Sequence, residues 1–110
     1  PHSIIASNDQ PIFGIPTSQV KYIEALQNYV KIGYINAEAQ LIEQTERITL
    51  KRILQEAKGS SIVKCHRSFL VNRNTIISVS GNAQGLLLSL SGCDKTIPVS
   101  RSYVATFREF

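Results

Sequence analysis

A ten-residue stretch, KCHRSFLVNR at residues 64–73, concentrates side chains that can contact phosphates or base edges. Four of them are basic, and these are Lys64, His66, Arg67 and Arg73. The apolar run at residues 69–71 between them can anchor the segment on a core. In a small domain, basic side chains on both sides of an apolar anchor predict a surface that faces a polyanion. The alternative is a basic loop that is merely solvated at the end of a strand.

The same stretch places a thiol beside an imidazole, at Cys65 and His66. Neighbouring residues of a strand point to opposite faces, so this pair is not expected to act together in catalysis. The sequence also lacks paired carboxylates in a motif, a glycine-rich phosphate loop and a cluster of metal ligands. We therefore expect neither an enzyme nor a bound metal or cofactor. Because flanking cations lower the pKa of a thiol, redox sensitivity of Cys65 is a secondary hypothesis.

Two further stretches belong with the basic segment. VKYIEALQNYVKI precedes it at residues 20–32, and IPVSRSY follows it at residues 97–103. In order and spacing, the three stretches resemble the LytTR DNA-binding domain, the output module of many bacterial response regulators. The resemblance covers residues 12–110, and its main departure is Gln27, where many members carry glycine. It implies a mostly β, elongated antiparallel fold that inserts loops into successive major grooves of duplex DNA.

Carried over position by position, the resemblance assigns base contacts to Asn28, Arg67 and Arg101. Arginine can donate two bonds to guanine and asparagine can pair with adenine, each worth ~1–3 kcal/mol of discrimination. Contacts to the DNA backbone fall to Lys64, His66, Ser68, Arg73, Ser100 and Ser102, which position the protein without reading sequence. Lys21 and Lys31 are candidates to add to these.

Each assignment has a structural alternative. Asn28 could simply favour a turn, and His66 could be a buried histidine bonded to a backbone carbonyl. Arg101 could pair with Glu24 or Glu109 instead of DNA.

Three polar residues within the motifs invite structural interpretations as well. Ser68 and Asn72 could close the turn through side-chain-to-backbone bonds. Glu24 is predicted to bond backbone amides or orient a nearby arginine, because phosphates would repel a carboxylate that faced them.

Composition limits the class of protein. A chain of 110 residues predicts one domain, and 43% hydrophobic with 18% charged residues excludes a disordered chain. Apolar runs such as residues 86–88 are far shorter than the roughly 18 residues of a membrane span, so we expect a soluble domain without membrane contact. Residues 1–59 carry six basic and six acidic side chains, whereas residues 60–110 carry six and two. The net charge of +4 therefore lies in the second half, which favours an anionic partner there.

Cys65 and Cys93 form neither a disulfide framework nor a metal-binding spacing, so a cytoplasmic setting is expected. The chain contains no methionine, which predicts that it is a domain excised from a longer protein. Residues 1–11 are interpreted as a linker or frayed arm, and residues 12–110 as the domain. By resemblance, a receiver or other sensory domain precedes it, and the domain binds paired sites as a homodimer.

Hydrophobic patterning predicts a mostly β domain with one clear helix. Strands are expected at residues 12–16, 20–26, 30–34, 40–45, 62–65, 75–80, 86–90 and 95–99. The period changes at Leu50, Ile53, Leu54 and Ala57, which indicates an amphipathic helix with Thr49 as N-cap and Gly59 as a stop. Ser100 or Ser102 could cap a last short helix. Tyr22 and Ile23 leave the buried face of their strand undecided.

The sequence thus predicts sequence-specific binding of duplex DNA as the output domain of a transcriptional regulator. One alternative is a protein-interaction module that docks an acidic partner on its basic face. Another is a single-strand or RNA binder that stacks bases on Tyr22, Tyr29 or Tyr34.

Overall fold

The computed structural model describes residues 14–57, 60–82 and 84–107. The predicted arm at residues 1–11 lies outside these ranges. Of the first predicted strand, Ile15 forms a single β bridge, and a 3-10 turn at Thr17–Gln19 follows it directly. The strand predicted at residues 12–16 is therefore reduced to this bridge in the described part of the chain.

Within the described residues, eight strands form two antiparallel sheets. They are β1 (Val20–Ala25), β2 (Val30–Ile35), β3 (Leu41–Glu46), β4 (Ile62–His66), β5 (Phe69–Asn72), β6 (Ile76–Asn82), β7 (Gly85–Leu90) and β8 (Thr96–Val99). The larger sheet has the order β3-β2-β1-β5-β4, and the smaller has the order β6-β7-β8. The part of the chain that the structure describes also contains two α-helices, α1 (Leu50–Glu56) and α2 (Val104–Phe107). The prediction of a mostly antiparallel β domain is confirmed, and its longest dimension is 41 Å against 27 Å for its shortest.

The central strand β1 is covered on both faces. Tyr22 and Ile23 are both fully buried, and they belong to different hydrophobic clusters on opposite sides of the sheet. A bulge between Val20 and Tyr22 shifts the register, so Val20 joins the cluster of Ile23. The sequence left the buried face of this strand undecided because both of its faces are buried.

Helix α1 covers one face of the larger sheet. Thr49 caps it as predicted, since its Oγ1 accepts a hydrogen bond from the Arg52 N–H at 3.1 Å. Ile53 and Ala57 are buried against the sheet, and Leu50 and Leu54 pack beside them. The predicted amphipathic face is thus confirmed, whereas the predicted stop at Gly59 lies outside the described residues.

The smaller sheet covers the opposite face. Its inward side chains form a second core with Tyr22 and with α2, and they include Leu86, Leu88, Leu90, Ile97 and Val99. A 3-10 turn, Arg101–Tyr103, leads into α2. Ser100 occupies the N-cap of that turn, but its side chain makes no capping bond; the Ser100 carbonyl accepts from the Tyr103 N–H at 2.8 Å instead.

Strand β5 was not predicted as a strand. Its apolar run lacks alternation because Leu70 contributes to one core and Val71 to the other. At its end, the side chain of Asn72 is buried and fully bonded. Its Nδ2 donates to the carbonyls of Thr17 at 3.1 Å and Val20 at 2.8 Å, and its Oδ1 accepts from Ser61 and the Asn74 N–H. The structural interpretation of Asn72 is confirmed.

Gly33 leaves room for the Tyr22 ring on the larger sheet because it has no side chain. The two residues are paired across β1 and β2, and a Cβ on Gly33 would overlap the ring. The Tyr22 hydroxyl donates a hydrogen bond to the Glu43 carboxylate at the edge of the sheet. Burial, together with this bond, raises the pKa of Tyr22.

Candidate nucleic-acid interface

The turn between β1 and β2 presents Asn28. The Leu26 N–H donates to the Tyr29 carbonyl at 2.8 Å, and the Tyr29 N–H donates to the Leu26 carbonyl at 3.3 Å, so Gln27 and Asn28 form the tip. All four residues are exposed. Among the described residues other than glycine, only Ala39 has a positive φ. The turn therefore does not need asparagine for a left-handed conformation, and the amide of Asn28 is available to a partner.

The turn between β4 and β5 presents Arg67 beside the first turn. Its tip is Arg67 and Ser68, and the Arg67 side chain is exposed. The Ala25 N–H donates to the Ser68 carbonyl at 2.7 Å, which ties the end of β1 to this turn. Since β1 and β5 are adjacent, the two turns lie about two strand spacings apart, or ~10 Å.

The segment after β8 presents Arg101 on the far side of the second turn. The Ser100 N–H donates to the Cys65 carbonyl at 2.9 Å, just before the Arg67 turn. Arg101 and Ser102 follow directly and are exposed. Three segments that are distant in sequence thus line one end of the molecule. We call them the tip row, made of residues 26–29, 66–68 and 100–102.

Asn28, Arg67 and Arg101 are the exposed polar side chains at the centres of the three segments. Within the described part of the chain, no ion pair or side-chain hydrogen bond engages Asn28, Arg67 or Arg101. Glu24, one suggested partner of Arg101, instead pairs with Lys95 at 2.7 Å; the other, Glu109, lies outside the described residues. The row therefore carries two guanidinium groups with all their donors available.

His66 is held in one orientation within the tip row. Its Nδ1 accepts a hydrogen bond from the Ser68 N–H at 3.1 Å, and its ring packs edge-on against Phe69 at 5.7 Å between centroids. The ring is half-buried, and it accepts from a backbone amide, whereas the structural interpretation had it donate to a carbonyl. An accepting Nδ1 places the proton on Nε2, where it can be donated to an external acceptor.

Two of the predicted backbone contacts lie away from the tip row. Lys64 is paired with Leu70 on the face of the larger sheet that carries α1, beside Lys51. Arg73 begins a 3-10 turn at the opposite end of β5. Ser68, Ser100 and Ser102, by contrast, stand within the row.

Lys95 and Glu24 form the charge pair behind the tip row. The Lys95 ammonium lies 5.2 Å from the centroid of the Tyr22 ring and 5.8 Å from that of Phe69. The predicted structural role of Glu24 agrees with this arrangement, although its partner is a lysine and not an arginine. Lys21, another suggested contact, donates to the Ser91 hydroxyl at 3.1 Å.

Cys65 is buried beneath the turn between β4 and β5. Its Sγ lies 3.5 Å from the Pro98 carbonyl and 3.8 Å from that of Phe69. Burial raises the pKa of the Cys65 thiol to about 12. The expectation that neighbouring cations lower this pKa is wrong, because burial among the apolar side chains of the second core disfavours the charged thiolate.

A cleft of about 590 Å³ opens beside Asn28, between the β1–β2 turn and the β3–α1 connection. Arg47 lies in it, with its guanidinium carbon 5.7 Å from the centroid of the Tyr29 ring. Sequence reasoning did not single out Arg47, because the residue stands outside every motif. The cross-strand pair Val30 and Glu46 brings it beside Tyr29, and no local pattern predicts that pairing.

The three tyrosines do not form a stacking platform. Tyr22 is fully buried, and Tyr34 packs against the first core. Tyr29 is 45% exposed and is covered by Arg47. The single-strand alternative therefore loses two of its three aromatic contacts.

Within the described residues, no group of three or more His, Cys, Asp or Glu side chains is placed to hold a metal ion. None of the helices described has the length and apolar character to cross a membrane.

Comparison with known proteins agrees with this geometry. Residues 10–110 match the model of the LytTr DNA-binding domain family. A solved LytTr DNA-binding domain, from a Bacillus cereus protein described as a methyl-accepting/DNA response regulator, superposes with a TM-score of 0.72 at 29% identity. That match covers 86% of this chain and 83% of the solved chain.

Two bacterial relatives are longer proteins. An uncharacterized response regulatory protein of Vibrio cholerae is 28% identical over 86% of this chain and 37% of its own length. The sensory transduction protein LytT of Enterococcus faecalis is 36% identical over 56% of this chain and 25% of its own length. The chain thus spans between a quarter and about two fifths of these relatives. With its family match over nearly the whole chain and its shared fold, the chain belongs to the LytTR family of DNA-binding domains.

Proposed function

We propose that the tip row reads the sequence of duplex DNA in the major groove. The observation that carries this proposal is the convergence of three turns, distant in sequence, on one end of the molecule, where Asn28, Arg67 and Arg101 are exposed. Arg67 and Arg101 donate pairs of hydrogen bonds to guanine O6 and N7, and Asn28 pairs with adenine N6 and N7. Because the turns lie side by side, they meet one face of a duplex together.

The remaining polar groups of the row position the protein on the sugar-phosphate backbone. His66 donates from Nε2, and the hydroxyls of Ser68, Ser100 and Ser102 bond phosphate oxygens. Lys64 approaches the backbone from the side of α1. Arg73, at the opposite end of β5, reaches DNA only where the duplex bends around the domain.

In its biological setting, we propose that the domain is the output part of a cytoplasmic transcriptional response regulator. The support is the greater length of the two relatives, a response regulatory protein and a sensory transduction protein, which leaves room for a receiver domain. Two copies bind paired sites as a homodimer, and phosphorylation of the receiver favours that pairing. A basic docking face for an acidic protein is the alternative, and preference among DNA sequences separates the two.

The test is selection of random duplex DNA on the purified chain at near-physiological salt, followed by binding assays with variants. An enriched motif is expected. Arg67→Ala and Arg101→Ala should each lose on the order of 1–3 kcal/mol on that motif and relax selectivity at one base position. Lys64→Ala should weaken selected and scrambled duplexes alike. Equal losses on both duplexes for Arg67→Ala would contradict base reading, and a failure to enrich any motif would favour the protein partner.

A further inference from the structure

Arg47 is the first residue after β3, and it stands beside the tip row. The register that pairs Val30 with Glu46 places the next residues, Tyr29 and Arg47, opposite one another. The guanidinium carbon lies over the Tyr29 ring at 5.7 Å from its centroid. Tyr29 in turn follows Asn28 directly, and Asn28 and Arg47 line the same cleft. A fixed cation therefore flanks the turn that carries the proposed adenine contact.

The charge of Arg47 has no carboxylate partner within residues 14–57, 60–82 and 84–107. No carboxylate among the described residues lies within 4.0 Å of its guanidinium. The adjacent carboxylate, that of Glu46, accepts a hydrogen bond from the Gln44 side chain at 2.6 Å. Arg52 provides a contrast, because its guanidinium contacts Glu56 one helical turn away at 3.5 Å.

Stacking leaves the hydrogen-bonding capacity of Arg47 intact. A guanidinium that lies over an aromatic face keeps its N–H donors at its edge, in a fork that matches the oxygens of a phosphate. The ring also restricts the side chain before any partner arrives, so less conformational entropy is lost on binding. This combination suits an anion with at least two oxygens.

We propose that Arg47 binds a phosphate of the DNA strand that borders the groove entered by Asn28, and that Tyr29 positions it there. The inference rests on the proposed function of the tip row and adds a contact outside the three recognition motifs. Because phosphates carry no sequence information, Arg47 contributes affinity and register, whereas discrimination stays with the bases.

The test measures affinity for the selected duplex and for a scrambled duplex at several salt concentrations. Arg47→Ala should weaken both duplexes by the same factor and reduce the slope of log affinity against log salt by about 0.9, the value for one phosphate. Tyr29→Leu should weaken binding in the same way, and this effect should vanish in the Arg47→Ala background. Arg52→Ala, which removes another exposed arginine, from α1, is the matched control and should leave the slope unchanged.

The outcomes separate this inference from the proposed function. A wild-type slope for Arg47→Ala, with loss of discrimination in Arg67→Ala, would overturn the role of Arg47 alone. A loss confined to the selected duplex would overturn the phosphate contact in favour of a base contact. If Arg67→Ala and Arg47→Ala both bound as the wild type does, the tip row itself would not be the interface. Arg47 is exposed, so loss of folding is not expected to obscure the result.

Discussion

Three consecutive residues at the end of β4 meet three different environments. Cys65 is fully buried in the second core, His66 is half-buried, and Arg67 is exposed at the tip of its turn. A bulge in β4 between Lys64 and His66 makes this possible. Lys64 pairs with Leu70 and His66 with Phe69, so Cys65 is an extra residue between two consecutive pairs. The same bulge turns the thiol inward while the arginine that follows reaches solvent. A thiol enclosed by the core and a guanidinium open to solvent therefore stand two residues apart in one short motif.

Cys65 should be unreactive in the folded protein. Under native conditions at pH 8, iodoacetamide should modify the half-exposed Cys93, and Cys65 should react only after unfolding. Mass spectrometry of digested protein measures this directly. Rapid labelling of Cys65 in the native state, at the rate of Cys93, would contradict its enclosure.

The raised thiol pKa also predicts how stability changes in alkali. The folded pKa of Cys65 is about 12 and the ordinary value is 9.0, so the unfolded chain loses this proton first as pH rises. The contribution of Cys65 to the free energy of unfolding is therefore complete below about pH 9 and falls between pH 9 and 12. The difference in stability between the wild type and Cys65→Ala should shrink over that range. A difference that grew with pH would contradict this direction.

Asn72 ties the end of β5 to the 3-10 turn before β1 and reinforces the pairing of β5 with β1 and β4. Its Nδ2 donates to the carbonyls of Thr17 in the 3-10 turn and of Val20 at the start of β1. Its Oδ1 accepts from the Ser61 hydroxyl before β4. The side chain is 1% exposed, so water cannot replace these partners. Asn72 belongs to the same sequence motif as Arg67. It is nevertheless a structural residue, and it lies at the end of β5 opposite to the tip row.

Substitution of Asn72 by alanine should cost stability and not recognition. Two carbonyls lose their donor, and burial makes each such loss worth about 1–3 kcal/mol, so the free energy of unfolding should fall by roughly 3 kcal/mol. Urea denaturation provides the measurement. Asn74→Ala, a change at an exposed neighbour, is the control and should stay within about 0.5 kcal/mol of the wild type. A comparably small effect of Asn72→Ala would mean that the bonds contribute little.

Local sequence patterns predicted most of the helices and strands. The features that they missed depend on pairing between segments that are distant in sequence. The helix from Leu50 was predictable because its period and its Thr49 cap are local. Strand β5 was missed because its two buried faces remove the alternation that marks a strand. The proximity of Asn28, Arg67 and Arg101 came from the family resemblance alone, since it depends on the order β2-β1-β5-β4. Arg47 was missed for the same reason, as only the pairing of β2 with β3 brings it to the row.

At the scale of the whole molecule, the two hydrophobic cores support the strands that end in the tip row. Helix α1 and the smaller sheet cover opposite faces of the larger sheet, and the turns emerge at its end between them. The turns are short and tied to one another by backbone bonds from Ala25 and Ser100. Under the proposed function, such an end presents its side chains to a duplex without a recognition helix. The turns at Asn36–Gln40 and Arg73–Thr75 lie at the opposite end of the same strands.

The most direct test of this account is to titrate the isotopically labelled chain with its selected duplex and follow backbone amide resonances by NMR. The account predicts that the largest shifts fall on the tip row and on Arg47. The smallest should fall on the opposite end, in the turn at residues 36–40. Shifts centred on that opposite end, with the tip row unchanged, would contradict the central claim that these three turns form the DNA interface.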